Sequence, residues 1–248
     1  MAGHSKFKNI MHRKGAQDKK RAKLFSRLIR EISVAAKLGM PSPESNPNLR
    51  TAINTALAAN MNKDSIEKAI KKHSDNSNND QIEEIVYEGF GPSGIAIIIE
   101  SFTDNKNRTA SEIRTAFNKH NGNLGASGSV RHLFEKIGLI KFSKDISSFE
   151  DLFDYSAELE INDIEESDEF YEIYTSVEAF HATLEKFEKK YGIPKESGLD
   201  WKAKELVELD LDDAKKLLVL IEKLEDIDDV QKLSSNINIS DEVMEKIV

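Results

Sequence analysis

The feature that constrains the fold most is a change of hydrophobic period at one place in the chain. Up to residue 72, apolar residues recur at helical spacing. From residue 82 onward they come in short runs rich in Ile and Val. Residues 73–81 (His-Ser-Asp-Asn-Ser-Asn-Asn-Asp-Gln) separate the two regimes without one apolar side chain and read as a linker. A chain of 248 residues has room for one large domain or two to three small ones.

Residues 18–38 predict an amphipathic helix. Leu24, Phe25, Leu28, Ile29, Ile32, Ala35 and Ala36 fall in an arc of roughly 140° at about 100° per residue. Lys19, Lys20, Lys23, Arg27, Arg30 and Lys37 take the opposite side, while Arg21 projects among the apolar positions. Gly39, Pro41 and Pro43 end this helix. Asn46-Pro47 opens a second helix with Leu49, Ile53, Ala56 and Leu57 inward. Asn62 can cap a third that carries Ile66, Ala69 and Ile70.

Beyond the linker, strands are expected at residues 82–88 and 95–102, within 133–142, and at 169–175, 205–209 and 230–237. Helices are expected at 109–120, 149–158, 177–191 and 211–224. This alternation predicts two α+β units, each a small sheet covered by two helices, after a helical domain.

Charge divides the chain just as sharply. The net formal charge of −9 conceals eleven Lys/Arg against two acids in residues 1–40, a formal +9. Residues 145–248 carry eleven Lys against thirty acids, a formal −19. Such asymmetry points to a polyanion partner for the N-terminal end. Lys6, Lys8, Arg13, Lys14, Lys19, Lys20, Lys23, Arg27 and Arg30 are the candidate contacts to a phosphate backbone. The third helix offers Lys63, Lys68, Lys71 and Lys72 but few side chains that read base edges, so backbone or shape recognition is favoured there.

Other motifs carry less. Gly89-Phe90-Gly91-Pro92-Ser93-Gly94 spells G-x-G-x-x-G, but Ile95-Ala96-Ile97-Ile98-Ile99 after it reads as a strand, and Pro92 lacks an amide donor. A hairpin turn is expected, not a nucleotide site. His4 and His12 have only Asp18 near them as a possible co-ligand, so no metal is expected. Without cysteine, thiol chemistry and iron–sulfur clusters are excluded. The carboxylate pairs Glu165-Glu166, Asp212-Asp213 and Asp228-Asp229 sit in acidic runs and read as solubilising surface. Thr103–Thr109 is dense in donors. It reads either as a turn plus helix cap, through Thr103, Asn107 or Thr109, or as a polar contact loop with Asn105, Asn107 and Arg108. No enzyme, cofactor or small-molecule substrate is expected. No membrane-length apolar stretch is present and the N-terminus lacks a secretory apolar core, so the expected location is the cytoplasm.

Several motifs stand in order along the chain: Met1-Ala2-Gly3-His4-Ser5-Lys6-Phe7, His12-Arg13-Lys14, Gln17-Asp18, Lys23, Leu28-Ile29-Arg30-Glu31, Ala35-Ala36-Lys37-Leu38-Gly39 and Asn46-Pro47-Asn48-Leu49-Arg50. Further along come Tyr87-Glu88-Gly89-Phe90-Gly91-Pro92, Asp104-Asn105-Lys106-Asn107-Arg108-Thr109, Gly122-Asn123-Leu124-Gly125 and Gly128-Ser129-Val130. Together they resemble the YebC family. Phe7 stands where the family usually has Trp, and Met40-Pro41-Ser42-Pro43 where a Gly/Asp-rich turn is usual. The resemblance implies an N-terminal three-helix domain (1–72) and two ferredoxin-like α+β domains. The third (133–203) would be inserted into the second (82–132 with 204–248). It implies DNA-binding transcriptional regulation, or in other members a ribosome-associated factor that contacts ribosomal RNA and eases synthesis of proline-rich stretches.

Overall fold

The computed structural model describes residues 17–74, 82–167 and 169–247. In chain order the helices are α1 (Gln17–Leu38), α2 (Pro47–Ala58), α3 (Lys63–Ser74), α4 (Lys106–Lys119), α5 (Phe149–Ser156), α6 (Phe180–Tyr191), α7 (Leu211–Glu225) and α8 (Asp241–Ile247). The strands are β1 (Glu83–Phe90), β2 (Ala96–Thr103), β3 (Asn123–Leu124), β4 (Phe134–Ser143), β5 (Asp163–Glu166), β6 (Phe170–Thr175), β7 (Glu196–Ala203), β8 (Val207–Glu208), β9 (Val230–Ser235) and β10 (Ile237–Asn238). This is a mixed α+β protein, and its main sheets pair antiparallel where the register is defined. The chain groups into two compact units. One holds residues 17–74 and 136–200, the other 82–135 and 201–247.

In the first unit, α1 packs on α2 and α3 through Leu28, Ile32, Ala36, Leu49, Ala52, Ala56, Met61, Ile66 and Ala69. Leu24 and Ile29, expected inward, are 45% and 38% exposed. They sit at the two margins of the apolar arc, beyond what two partner helices cover. The same unit contains the sheet β5-β6-β4-β7. Ile140, Phe142, Tyr171 and Ile173 on one face pack with Leu152 of α5 and Phe180, Leu184 and Phe187 of α6. On the other face Lys141 Nζ pairs with Glu172 at 3.0 Å, and the Tyr174 hydroxyl donates to Glu172 at 2.7 Å. Burial, then the charge of Glu172, raise the Tyr174 pKa, so its proton stays in that hydrogen bond.

The second unit is built on the sheet β3-β1-β2-β9. Its central strand explains the uninterrupted Ile95–Ile99 run. Ile97 and Ile99 face α4, α7 and α8, while Ala96 and Ile98 face Val130, Phe134 and Trp201. A strand buried on both faces has no polar alternation. Gly89 on β1 lies against the Phe117 ring and the Asn123 carbonyl, both under 3 Å from any added Cβ, so only glycine fits. The G-x-G-x-x-G stretch forms the end of β1 and a single 3-10 turn at Pro92–Gly94, and β2 follows.

Several elements differ from expectation. The helix expected at residues 109–120 begins at Lys106, so Asn107 and Arg108 lie in its first turn and not in a loop. The strand expected at 230–237 divides at Asn236, whose side-chain oxygen accepts the Ala96 amide at 2.8 Å. The strand expected at 205–209 is only the two-residue β8, paired in parallel with β10. Strands β3, β5 and β7 and helix α8 were not anticipated.

Candidate nucleic-acid interface

At 100° per residue, positions 19, 20, 23, 27 and 30 of α1 span an arc of about 100°, opposite the core positions. The helix thus gathers the predicted cations on one side. Lys6, Lys8, Arg13 and Lys14 lie outside the described residues, as do the side chains of Lys19 and Lys20. Lys23, Arg27 and Arg30 are half-buried, and each already has an interaction within the chain. Val34, on the same arc, is buried. The cationic side is therefore gathered, but its C-terminal half is not open surface. Arg21 is exposed, with its guanidinium carbon 5.3 Å from the centre of the Phe25 ring.

The end of α1 is fixed by one side chain. Asn46 caps α2 by accepting the Leu49 amide at 3.1 Å. Its Nδ2 donates to the carbonyls of Ala35 (2.8 Å) and Met40 (2.9 Å). A Cβ at Gly39 would collide with that amide group. Asn46 and Gly39 together set the angle between α1 and α2. On the far side of α2, Asn54 donates to Glu188 of α6 at 2.7 Å, and Asn48 Oδ1 lies 3.0 Å from a ring nitrogen of His181. Burial, and secondarily Arg50, lower the His181 pKa.

The polar stretch at residues 103–109 resolves into a cap and a buried knot. Asn105 caps α4 by accepting the Arg108 amide at 3.1 Å, a role expected of Thr103, Asn107 or Thr109. Asp229, expected to be solubilising surface, is buried. Its Oδ2 accepts from Thr109 Oγ1 (2.6 Å), Arg108 Nη2 (2.8 Å) and Thr103 Oγ1 (3.2 Å). Arg108 also pairs with Asp104 at 2.7 Å. The hydrogen bonds to Asp229 and Asp104 push the Arg108 pKa up and hold its charge. Asn105 and Arg108 thus make contacts within the fold, and Asn105, Asn107 and Arg108 are all exposed.

A second buried acid was missed. Glu88 Oε1 accepts the Gly128 amide at 2.8 Å, and Oε2 accepts the Val130 and Arg131 amides, each at 2.9 Å. Burial opposes its ionisation, but the three amides and the Arg131 charge outweigh that. The carboxyl is held below its ordinary value. Arg131 in turn lies over the Trp201 ring, 5.4 Å from its centre, and the Trp201 indole donates to Glu100 at 3.0 Å. Glu88 is the third acid of β1, after Glu83 and Glu84, and only its place directly before Gly89 sets it apart in the sequence.

Among the described residues no three His, Asp or Glu side chains are grouped to hold a metal ion, and no helix is long and apolar enough to cross a membrane.

Residues 5–76 match the family model for the TACO1/YebC protein N-terminal domain, and residues 82–237 match that for the TACO1/YebC second and third domain. The chain belongs to the TACO1/YebC family. A relative from Rickettsia bellii (strain RML369-C), called a probable transcriptional regulatory protein, is 49% identical over 246 residues, covering 99% of this chain and 97% of its own. One of the same description from Zymomonas mobilis is 49% identical over 247 residues, covering 100% and 99%. The crystal structure of a conserved hypothetical protein from Aquifex aeolicus aligns with a TM-score of 0.84 at 43% identity, over 90% of this chain and 93% of that one. The Rickettsia bellii and Zymomonas mobilis relatives thus bear regulatory names.

Proposed function

We propose that this chain is a non-enzymatic, cytoplasmic, DNA-binding transcriptional regulator. Its N-terminal helical domain anchors on the phosphates of a duplex. The observation that carries this reading is the +9 of residues 1–40, with positions 19, 20, 23, 27 and 30 of α1 on one side of the helix. Lys6, Lys8, Arg13, Lys14, Lys19 and Lys20 supply the primary contacts. Lys23, Arg27 and Arg30 reinforce the field from half-buried positions. The relatives called probable transcriptional regulatory proteins support the assignment. In this reading the domains run 1–72, 82–132 with 204–248, and 133–203, the last a ferredoxin-like insertion into a ferredoxin-like second domain.

The second reading is a ribosome-associated translation factor gripping ribosomal RNA through the same cations. The −19 of residues 145–248 favours it, because a long duplex lying along that region is repelled.

Binding to duplex DNA should weaken steeply with salt, with a log–log slope of roughly −0.9 per phosphate neutralised. Lys→Gln changes at Lys6, Lys8, Lys14, Lys19 and Lys20 should flatten that slope and weaken binding to every sequence alike. A flat salt response in the unaltered chain would overturn both readings. Co-sedimentation with ribosomal subunits in moderate salt, without DNA recovered by cross-linking, would favour the second.

A further inference from the structure

The outer side of α4 carries a row that the N-terminal anchor leaves unused. Thr109, Ile113, Ala116 and Phe117 face the core of the second unit. Asn107, Ser111, Arg114 and Asn118 recur at i, i+4, i+7 and i+11, within about 60° of one another on the far side. All four are exposed. Among the described residues Arg114 forms no ion pair, unlike Arg108 one turn and a half earlier, which is held by two aspartates. The nearest acid on the helix, Glu112, sits about 130° round from the row. Lys106 and Lys119, also exposed, mark its two ends. From residue 105 to 134 there are five Lys/Arg and one acid, a cationic stretch ahead of the acidic residues 145–248.

These are the side chains that read base edges. An arginine fork spans O6 and N7 of guanine, an asparagine amide spans N6 and N7 of adenine, and a serine hydroxyl serves either. The row extends about 16 Å along the helix axis. We infer that α4 is a sequence-reading helix, and that its occupant is the major groove of double-stranded DNA. A groove about 12 Å wide admits an α-helix, whereas the A-form RNA major groove is too narrow. Recognition of unpaired bases relies on stacking against aromatic faces, and the row contains none. The inference rests on the duplex-anchoring reading above and deepens it. The N-terminal cations supply affinity blind to sequence, and α4 supplies the discrimination that the third helix lacks. The capped α4 start, tied through Arg108 and Thr109 to Asp229, holds the row rigidly on the domain.

The test is selection from a random duplex library by the full chain, followed by competition between enriched and scrambled duplexes. The unaltered chain should prefer the enriched sequence by at least roughly tenfold. Arg114→Lys with Asn118→Ala keeps the charge but removes the fork and one amide. It should bring the preference to within about twofold. Affinity for scrambled duplex, its salt slope and the helical circular dichroism should stay unchanged. Salt-dependent duplex binding that enriches no sequence would overturn the reading helix and leave the anchor standing. A double variant that discriminates as well as the parent would do the same. Tighter binding to RNA than to any duplex would overturn the duplex assignment. Failure to bind duplex at all would overturn the anchor with it.

Discussion

Replacing Glu88 by glutamine removes one charge from the interior and changes almost nothing in volume. Three backbone amides converge on the native carboxylate at 2.8–2.9 Å. Hydrogen bonds to a charged acceptor contribute about 1.5–3 kcal/mol each, against about 1 for neutral pairs. Glutamine keeps one acceptor oxygen, so Val130 and Arg131 retain weakened bonds while the Gly128 amide faces an NH2 group. Because Gly128 is exposed, water recovers part of that loss. The net destabilisation should be about 2–3 kcal/mol. That lowers the urea midpoint by about 0.7–3 M for a slope of roughly 1–3 kcal/mol per molar. Trp201, the single tryptophan of the chain, lies under Arg131 of the same loop and supplies the fluorescence readout. The folded-state pKa of Glu88 lies below its ordinary 4.5. Its contribution is therefore fully present above that value and is lost as pH falls through the folded value. The gap between parent and variant should narrow steadily below pH 4.5. Equal midpoints at pH 7, or a gap that widens in acid, would refute the reasoning.

Two further perturbations test the joints on which the proposed interface depends. Asn46→Ala removes the α2 cap and both donors to the end of α1, so the helical signal should melt earlier, at a cost of about 2–3 kcal/mol. Asn46→Asp keeps the cap but not the donors and should recover only about 1 kcal/mol of that. Asp229→Asn retains an oxygen for Thr103, Arg108 and Thr109, whereas Asp229→Ala removes their shared acceptor and leaves Arg108 only Asp104 and the two hydroxyls only each other and the Asn105 backbone. In denaturant the alanine variant should be less stable than the asparagine variant by about 2 kcal/mol or more, and equal midpoints would show that the knot carries no load.

Where one local cause governs a segment, the sequence discloses it. The Ile95–Ile99 run belongs to a strand covered on both faces, and Asn46-Pro47 opens a helix as its chemistry requires. Where the cause is distant, the sequence is silent. Asp229 stands among Asp226 and Asp228, and nothing nearby distinguishes it. Its donors come from residues 103–109, about 120 positions earlier. Strand β5 is four residues at a sheet edge, with too short a run for a periodic signal. Residues 103–109 read equally as a cap or a contact loop because the helical phase begins before the first apolar position of α4. The periodicity of α1 disclosed which side its cations take. It could not disclose that Lys23, Arg27 and Arg30 already have partners.

Strand β2 pairs with β1, its close neighbour in the chain, and with β9, whose Ser235 stands opposite Ile97. During synthesis, residues 17–74 emerge with every apolar partner of their helical core already made. The second-unit sheet must wait, its Ile-rich strand uncovered along one edge, until all but the last few residues have left the ribosome. The cationic helices are thus available before the acidic body is finished. The interval between the two is when this chain is most exposed to chaperones and to aggregation.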